Sequence, residues 1–188
     1  MKFLALLSVS CVLLAGCLGS APQAPTHWTI NPSTTAVSRA AAPKYGIVRL
    51  AQVNVRPPYD GTKLAVLRPD GSLAFDAFNG FAAAPAPVLR GVAQDVIDAS
   101  GLFERSVHPT SSAAAPYSLE VVVTRLALDC GAEGRRLAVA DLSVLLLKGR
   151  EIVGTAKGSG SSATADGDYT EAFSKACTSA LAEALRGL

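Results

Sequence analysis

The chain has 188 residues, of which 17 are Lys or Arg and 15 are Asp or Glu, so its formal net charge is only +2. Nucleic-acid binding requires a basic stripe, and this near balance of charge argues against that class of function. After residue 17 no apolar run reaches the ~20 residues that a membrane-spanning helix needs. The length suits a single domain preceded by a leader and a tether.

The first 17 residues have the pattern of a lipoprotein signal sequence. Lys2 supplies a positive start, and residues 3–14 are apolar apart from two serines, a run too short to span a bilayer. The sequence Leu-Ala-Gly-Cys at 14–17 resembles the bacterial lipobox, in which the cysteine thiol receives diacylglycerol. We predict a signal peptide at 1–16 and lipid attachment at Cys17. The alternative is an ordinary secretory signal, or an uncleaved anchor, with a chance cysteine.

A segment rich in Ala, Pro, Ser and Thr follows the cysteine. It contains little that can be buried, so residues 17–43 are predicted to form a lipidated, flexible tether. The sequence His-Trp-Thr-Ile at 27–30 is a candidate short strand inside it. The ordered domain is predicted at residues 44–188.

Residues 45–116 are predicted to contain three strands and one helix. Apolar and β-branched residues indicate the strands, and Pro69-Asp70-Gly71 is typical of a hairpin turn. Proline at the start and glycine at the end delimit the helix, whose apolar residues recur at helical spacing. The predicted elements are a strand at 45–55, hairpin strands at 63–67 and 72–78, a helix at 85–101 and a loop at 106–116.

Three further strands and a second helix are predicted in the remainder of the chain. The strands are expected at 117–129, 136–147 and 151–157, and the Gly/Ser/Thr-rich stretch 158–167 is expected to be a loop. The last helix should begin at the capping box Asp168-x-x-Glu171 and carry one apolar stripe. The fold class is therefore predicted as α+β, a single mostly antiparallel sheet with two helices packed on one face.

The sequence contains no recognisable catalytic or metal-binding pattern. The two histidines, His27 and His108, have no ligand partners nearby in sequence, and no G-x-S-x-G is present. The glycine-rich stretch at 158–162 lacks the lysine that a P-loop places against phosphate. We expect no catalysis, cofactor or metal, and a role in binding or assembly instead.

The two remaining cysteines of the predicted mature chain form a candidate disulfide. Cys130 lies at a predicted strand end and Cys177 on the apolar stripe of the last helix. Because an exported protein meets an oxidising compartment, we predict a bridge between them, which would contribute roughly 3–4 kcal/mol. The alternative is a pair of buried free thiols.

Several aromatic residues lie in predicted turns and short strands. Tyr59, Phe78 and Phe81 are candidates for a protein interface, because aromatic side chains are enriched at such surfaces. The alternative places these phenylalanines in the core beneath the first helix, and this is the favoured reading for Phe75.

The order of these features resembles that of a known family. It includes Val-Arg-Pro-Pro-Tyr-Asp-Gly at 55–61, Leu67-Arg68, and Phe-Asp-Ala-Phe-Asn-Gly-Phe at 75–81. A proline-initiated helix ending Ala-Ser-Gly-Leu-Phe at 99–103 and the final helix from Tyr169 complete the pattern. From residue 45 to 188 the chain is similar to the ABC-type transport auxiliary lipoproteins, the PqiC-like group associated with MCE proteins.

The resemblance implies a periplasm-facing lipoprotein without chemistry of its own. Such a protein works with an MCE-domain protein and an ABC permease and ATPase in envelope lipid transport, and it docks the MCE assembly at a membrane. A homo-oligomer could match the symmetry of that assembly. Leu18 is not the Asp that retains many lipoproteins in the inner membrane, which favours the inner leaflet of the outer membrane. The alternatives are a structural or assembly-factor envelope lipoprotein, or a lipoprotein that binds a small apolar ligand.

Overall fold

The computed structural model describes residues 24–33, 37–131, 134–164 and 168–188. Within these ranges the chain is of the α+β class, as predicted, and none of the described helices is both long and apolar enough to cross a membrane. The elements are β1 (Thr26–Trp28), β2 (Tyr45–Val55), β3 (Lys63–Leu67), β4 (Leu73–Phe81), α1 (Pro85–Ser100), β5 (Phe103–Val107), β6 (Tyr117–Cys130), β7 (Arg136–Lys148), β8 (Glu151–Ala163) and α2 (Tyr169–Arg186).

The described strands form one mixed sheet, so the prediction of a mostly antiparallel sheet is wrong. Strand pairs β3–β4, β6–β7 and β7–β8 are antiparallel, whereas β1–β4, β2–β5, β2–β6 and β3–β6 are parallel. The antiparallel pairs are joined by short turns that the sequence displays, for example at Gly149 with φ of 62°. The parallel pairs join strands that are distant in sequence, so the local sequence pattern cannot predict which strands pair.

The sheet divides into two arms at β6. Residues 117–123 of β6 pair with β2, whereas Leu128 and Asp129 pair with β3. β7 pairs along the whole of β6, and a register shift falls between Val123 and Arg125. The sheet therefore runs β8-β7-β6 and then continues as β2-β5 along one part of β6 and as β3-β4-β1 along the other.

Both helices contribute to one apolar core on one face of the sheet. α2 packs on β7 and β8, and α1 packs on β2, β5 and α2. Alternate residues of the central strands point into this core, as the period of two in a strand requires. On β7 these are Ala138, Ala140, Leu142, Val144 and Leu146.

β8 continues through the stretch that the sequence predicted as a loop from residue 158. Gly158 and Gly160 lie directly under α2: a Cβ atom on Gly158 would be 1.9 Å from the Ala180 carbonyl oxygen, and one on Gly160 would be 2.0 Å from that of Ala176. The glycines therefore permit close approach of helix and strand, which is one of the uses of glycine within a sheet. At the outer edge of β8, the Ser159 N–H donates a 2.6 Å hydrogen bond to the Glu183 carboxylate.

The helix ends agree in part with the predicted capping. The Asp168 carboxylate accepts a 3.3 Å hydrogen bond from the Glu171 N–H, as half of the predicted capping box. The Glu171 side chain instead forms a 2.6 Å ion pair with Lys175 one turn later. α1 ends at Gly101, which adopts the left-handed conformation with φ of 61°.

Part of the segment predicted as a flexible tether is packed on the domain. β1 pairs in parallel with β4, and Ile30 is only 3% exposed. The Trp28 ring meets the Tyr169 ring edge-on at 5.3 Å, and the Asn31 N–H donates to the Ser174 hydroxyl at 2.8 Å. The apolar pair of Trp28 and Ile30 thus fixes residues 26–31 against α2, an effect that the polar average composition of the segment concealed.

Candidate docking face

The described residues bring no metal-ligand cluster together. No group of three or more His, Cys, Asp or Glu side chains in the described ranges could hold a metal ion. His27 lies on β1 and His108 follows β5, and these two strands end different arms of the sheet. The exposed large apolar side chains indicate a surface instead: of the five in the described part of the chain, Leu73, Phe75 and Phe78 belong to β4.

Two of these side chains, Leu73 and Phe75, lie on the face of the sheet that the helices leave uncovered. Across the arm of β3 and β4, Ala65 pairs with Phe75 and Leu67 pairs with Leu73. Paired residues point to the same face. Leu67 also pairs with Asp129, which pairs in turn with Leu137, so the row continues across β6 and β7.

Tyr59 lies at this uncovered face and packs both against a small cluster there and against the main core. A small cluster of Ala65, Ala127 and Val139 is buried there, separate from the main core, and Tyr59, Leu67 and Leu137 pack against it. Tyr59 lies in a turn that contains the cis Pro57–Pro58 bond. Its backbone N–H donates a 2.9 Å hydrogen bond to the Arg56 carbonyl. The open-face patch is defined here as Tyr59, Leu67, Leu73, Phe75 and Leu137.

A bulge in β4 lies beside the open-face patch. On β3, Ala65 pairs with Phe75 and Lys63 pairs with Gly80. The four residues 76–79 of β4 therefore lie opposite the single residue Leu64 and do not pair with β3. We call residues 76–79 the β4 bulge. Gly80 is required at its end, since a Cβ there would be 2.7 Å from the Thr62 carbonyl oxygen.

The Asp76 carboxylate organises the β4 bulge. It accepts hydrogen bonds from the Phe78 N–H at 2.8 Å, the Asn79 N–H at 2.9 Å and the Asn79 side-chain amide at 3.1 Å. The Asn79 side-chain oxygen in turn accepts from the Trp28 indole N–H at 3.1 Å. Partial burial opposes ionisation of Asp76, but the hydrogen bonds from Phe78 and Asn79 outweigh it and lower the pKa of this carboxyl below its ordinary value of 3.8.

The network presents two aromatic rings on a fixed backbone. Phe75 is 47% exposed and Phe78 is 45% exposed, although both carry large apolar surfaces. A groove of about 400 Å³ runs between the β4 bulge and the Pro25–His27 segment. Ordered, exposed phenylalanines beside a concave surface are the features that protein interfaces use as anchors.

The three aromatic residues predicted to form an interface, Tyr59, Phe78 and Phe81, lie in different environments in the structure. Tyr59 is half-buried in the open-face patch, and Phe78 is exposed on the β4 bulge. Phe81 is 4% exposed and packs edge-on against Phe173 with ring centroids 5.2 Å apart, so it is a core residue. Phe75, for which the sequence favoured the core, is exposed. That Tyr59 and Phe78 contact a partner stays a prediction.

Sequence reasoning missed Leu73 and Asp76 as parts of this surface. The signal for Asp76 was present, because Asp and Asn within an apolar strand pattern indicate a local side-chain-to-backbone turn. Leu73 could not be assigned without the register of β3 and β4, which decides the face on which it lies.

The two described cysteines are free thiols in the structure, so the predicted bridge is not formed there. Cys177 is buried in the main core, and burial raises the pKa of its thiol to about 12. Cys130 is half-buried at the end of β6. The oxidation state of the pair in the cell stays a prediction. The predicted lipid-attachment residue Cys17 lies outside the described residues.

Comparisons with solved structures support the fold. The chain is similar to the crystal structure of protein XCC0632 from Xanthomonas campestris, described as a DUF330 protein, with a TM-score of 0.60, 20% identity and coverage of 86% of this chain and 88% of that one. It is similar to an uncharacterized protein with a TM-score of 0.59, 14% identity and coverage of 87% and 95%. No protein-family model and no curated protein matches the sequence.

Proposed function

We propose that the protein is a periplasm-facing lipoprotein, anchored through Cys17, that serves as a non-catalytic accessory subunit of an MCE/ABC-type envelope lipid transport system. In this role it docks the MCE-domain protein, and through it the ABC permease and ATPase, at a membrane. The lipobox-like sequence at 14–17 supports the anchor. The inner leaflet of the outer membrane is the proposed location because Leu18 follows the cysteine.

One structural observation carries the docking role: Phe75 and Phe78 are exposed on a backbone that Asp76 holds in place. Burying such rings against a partner would remove apolar surface from water at about 25 cal/mol per Å². Because the β4 bulge is already ordered by hydrogen bonds, a partner gains this burial with little cost in backbone ordering. The helix-covered face has no comparable exposed aromatic among the described residues.

The family resemblance supports the choice of partner. The segment Phe-Asp-Ala-Phe-Asn-Gly-Phe at 75–81, one of the several segments whose order resembles that of the MCE-associated lipoproteins, contains the β4 bulge. This segment therefore belongs to the sequence likeness and also supplies the exposed rings of Phe75 and Phe78. We therefore propose that the MCE-domain protein binds at Phe75 and the β4 bulge, which together we call the docking face.

The test is co-purification of the MCE-domain protein with the lipoprotein from membranes. The double variant Phe75→Ser, Phe78→Ser is expected to lose the MCE-domain protein, because both aromatic anchors are removed. The matched control is Ile152→Ser, Val153→Ser on β8, whose side chains are exposed to a similar degree, 55% and 40%. The control is expected to retain the partner.

Two outcomes would contradict the proposal. Full retention of the MCE-domain protein by a folded Phe75→Ser, Phe78→Ser variant would exclude the β4 bulge as the docking site. Loss of the partner from the β8 variant alone would place the interface at the other end of the sheet. Circular dichroism of each variant establishes that the fold is intact.

The anchor is tested separately with Cys17→Ser. This variant is expected to lose membrane association, because it lacks the thiol that receives the lipid, and its mass should lack acyl groups. Persistent acylation of Cys17→Ser would overturn the lipid-attachment assignment. Fractionation of inner and outer membranes from the unaltered protein tests the proposed location.

A further inference from the structure

A second concave surface lies on the helical side of the molecule, where residues 37–40 cross the C-terminal ends of α1 and α2. It encloses about 320 Å³, which is near the lower end of the range for small-molecule sites, ~300–1,000 Å³. We propose that this groove binds a single-chain anionic amphiphile, such as a long-chain fatty acid. The proposal goes beyond the docking role and does not depend on it, because none of the groove residues belongs to the open-face patch or the β4 bulge.

The walls of the groove are apolar. Val37 and Leu102 are half-buried, and Ala182 and Leu185 of α2 are 8% and 3% exposed. Walls of this composition match a hydrocarbon chain, whose transfer from water is favourable by about 0.8 kcal/mol per buried methylene.

Backbone hydrogen bonds fix the segments that form these walls. The Ala40 N–H donates to the Ser100 carbonyl at 2.7 Å, and the N–H groups of Lys44 and Tyr45 approach the Leu102 carbonyl at 2.9 and 3.1 Å. The Tyr45 hydroxyl donates to the Leu188 carbonyl at 2.7 Å and so ties the end of α2 to β2. The groove is therefore a preformed feature of the fold.

Two arginines line the groove and give it a positive charge. Arg39 and Arg186 are both exposed, and neither takes part in the two ion pairs found among the described residues. The Arg39 side chain lies over Gly101, with its Cγ 2.9 Å from the position that a Cβ on that glycine would take. A guanidinium binds a carboxylate or phosphate through a planar pair of donors, so these two groups suit an anionic head.

The lining is unsuited to a polar ligand such as a sugar. Apart from the arginines, the polar side chains that line the groove are Ser38 and Ser100. The Ser100 hydroxyl is already occupied, since it donates to the Ile97 carbonyl at 2.7 Å and accepts from the Leu102 N–H at 3.2 Å. Apolar walls with a cationic rim therefore select a ligand with a hydrocarbon tail and a single negative head.

Photo-crosslinking of the full chain in its membrane tests the proposal. The probe is palmitic acid carrying a diazirine in its tail, and its methyl ester is the neutral counterpart. Crosslinks of the acid are expected to map to peptides containing residues 37–40, 102 and 182–186. The double variant Arg39→Ala, Arg186→Ala should lower this yield about tenfold, equivalent to ~1.4 kcal/mol of binding free energy. The control double variant Arg90→Ala, Arg150→Ala removes two exposed arginines elsewhere and should leave the yield unchanged.

A steric variant provides a second readout. Ser38→Trp adds a large side chain at the exposed margin of the groove, and it is expected to abolish labelling of residues 182–186. Equal labelling by the acid and its methyl ester, or unchanged labelling in both the arginine and the Ser38→Trp variants, would overturn the proposal. Co-purification of the MCE-domain protein with the Arg39→Ala, Arg186→Ala variant is expected to be normal, so failure of the groove and failure of the docking face are distinguishable.

Discussion

The two faces of the sheet use their side chains in opposite ways. On the helix-covered face, strand and helix approach so closely at Gly158 and Gly160 that even a methyl group would meet backbone atoms. On the open face, Tyr59 is the cover over three small buried residues, and Phe75 remains 47% exposed at the margin. The covered face is therefore tightly packed, whereas the open face leaves apolar area exposed.

The largest expected difference between the two faces is in the free energy of unfolding after truncation of one β4 phenylalanine on each face. Phe81→Ala should lower the free energy of unfolding by ~3–5 kcal/mol, because it leaves a cavity against Phe173. Phe75→Ala should change it by no more than ~0.5 kcal/mol, because the side chain is half-exposed. Chemical denaturation of both variants measures the difference, and equal losses would mean that the two faces are packed alike.

A second comparison concerns glycines. Gly158→Ala should destabilise the protein by ~3 kcal/mol or more, since its methyl group would collide with the Ala180 carbonyl. Gly91→Ala in α1 meets no atom within 4 Å and should stabilise the protein by ~0.5–1 kcal/mol. Thermal unfolding of the pair tests this contrast. A tolerated Gly158→Ala would mean that α2 does not sit on β8 as closely as described.

The pH dependence of stability should report the β4 bulge. Because the folded pKa of Asp76 is below its ordinary value of 3.8, the ionised carboxylate stabilises the fold above that value. This contribution is lost as the pH falls through the folded pKa. Asp76→Asn is expected to cost about 1 kcal/mol at neutral pH and less as the solution becomes acidic. Urea unfolding at several pH values measures it, with Phe75→Ala as a control that keeps the carboxylate. A constant difference across the acidic range would contradict this role of Asp76.

The smallest expected effect is a difference between the rates at which the Cys130 and Cys177 thiols react with a maleimide. The Cys177 thiol, with its pKa raised to about 12 by burial, should react with a maleimide only when the protein unfolds. Cys130 is half-buried and should react in the folded state. Mass spectrometry of the labelled peptides separates them. If neither cysteine reacts in unreduced, denatured protein, the predicted disulfide is present after all.

The sequence was informative wherever structure depended on neighbouring residues. The strands at β2, β6 and β7, the helix from Pro85 and the cap at Asp168 follow from period, proline and capping chemistry. β5 escaped prediction because its five residues gain their strand form from parallel pairing with the distant β2. The glycine-rich end of β8 was predicted as a loop for a related reason: the glycines serve a helix that lies elsewhere in sequence.

The candidate docking face could be predicted only in outline. The aromatic content of residues 75–81 indicated a surface or a core, and composition alone could not decide between them. The decision rests on the β4 bulge, because a looped-out segment of four residues changes which side chains face the core after Phe75. Phe81 therefore returns to the core, while Phe78 remains outside.

The hydrogen bond between Glu183 and the Ser159 N–H has a consequence for behaviour at high concentration. β8 is 13 residues long and pairs only with β7 among the described strands, so its outer edge could template an added strand from another molecule. The Glu183 carboxylate occupies a donor in the middle of that edge and places a negative charge beside it. Edge-to-edge addition at this position would have to break the bond, so we expect Glu183 to oppose aggregation through β8.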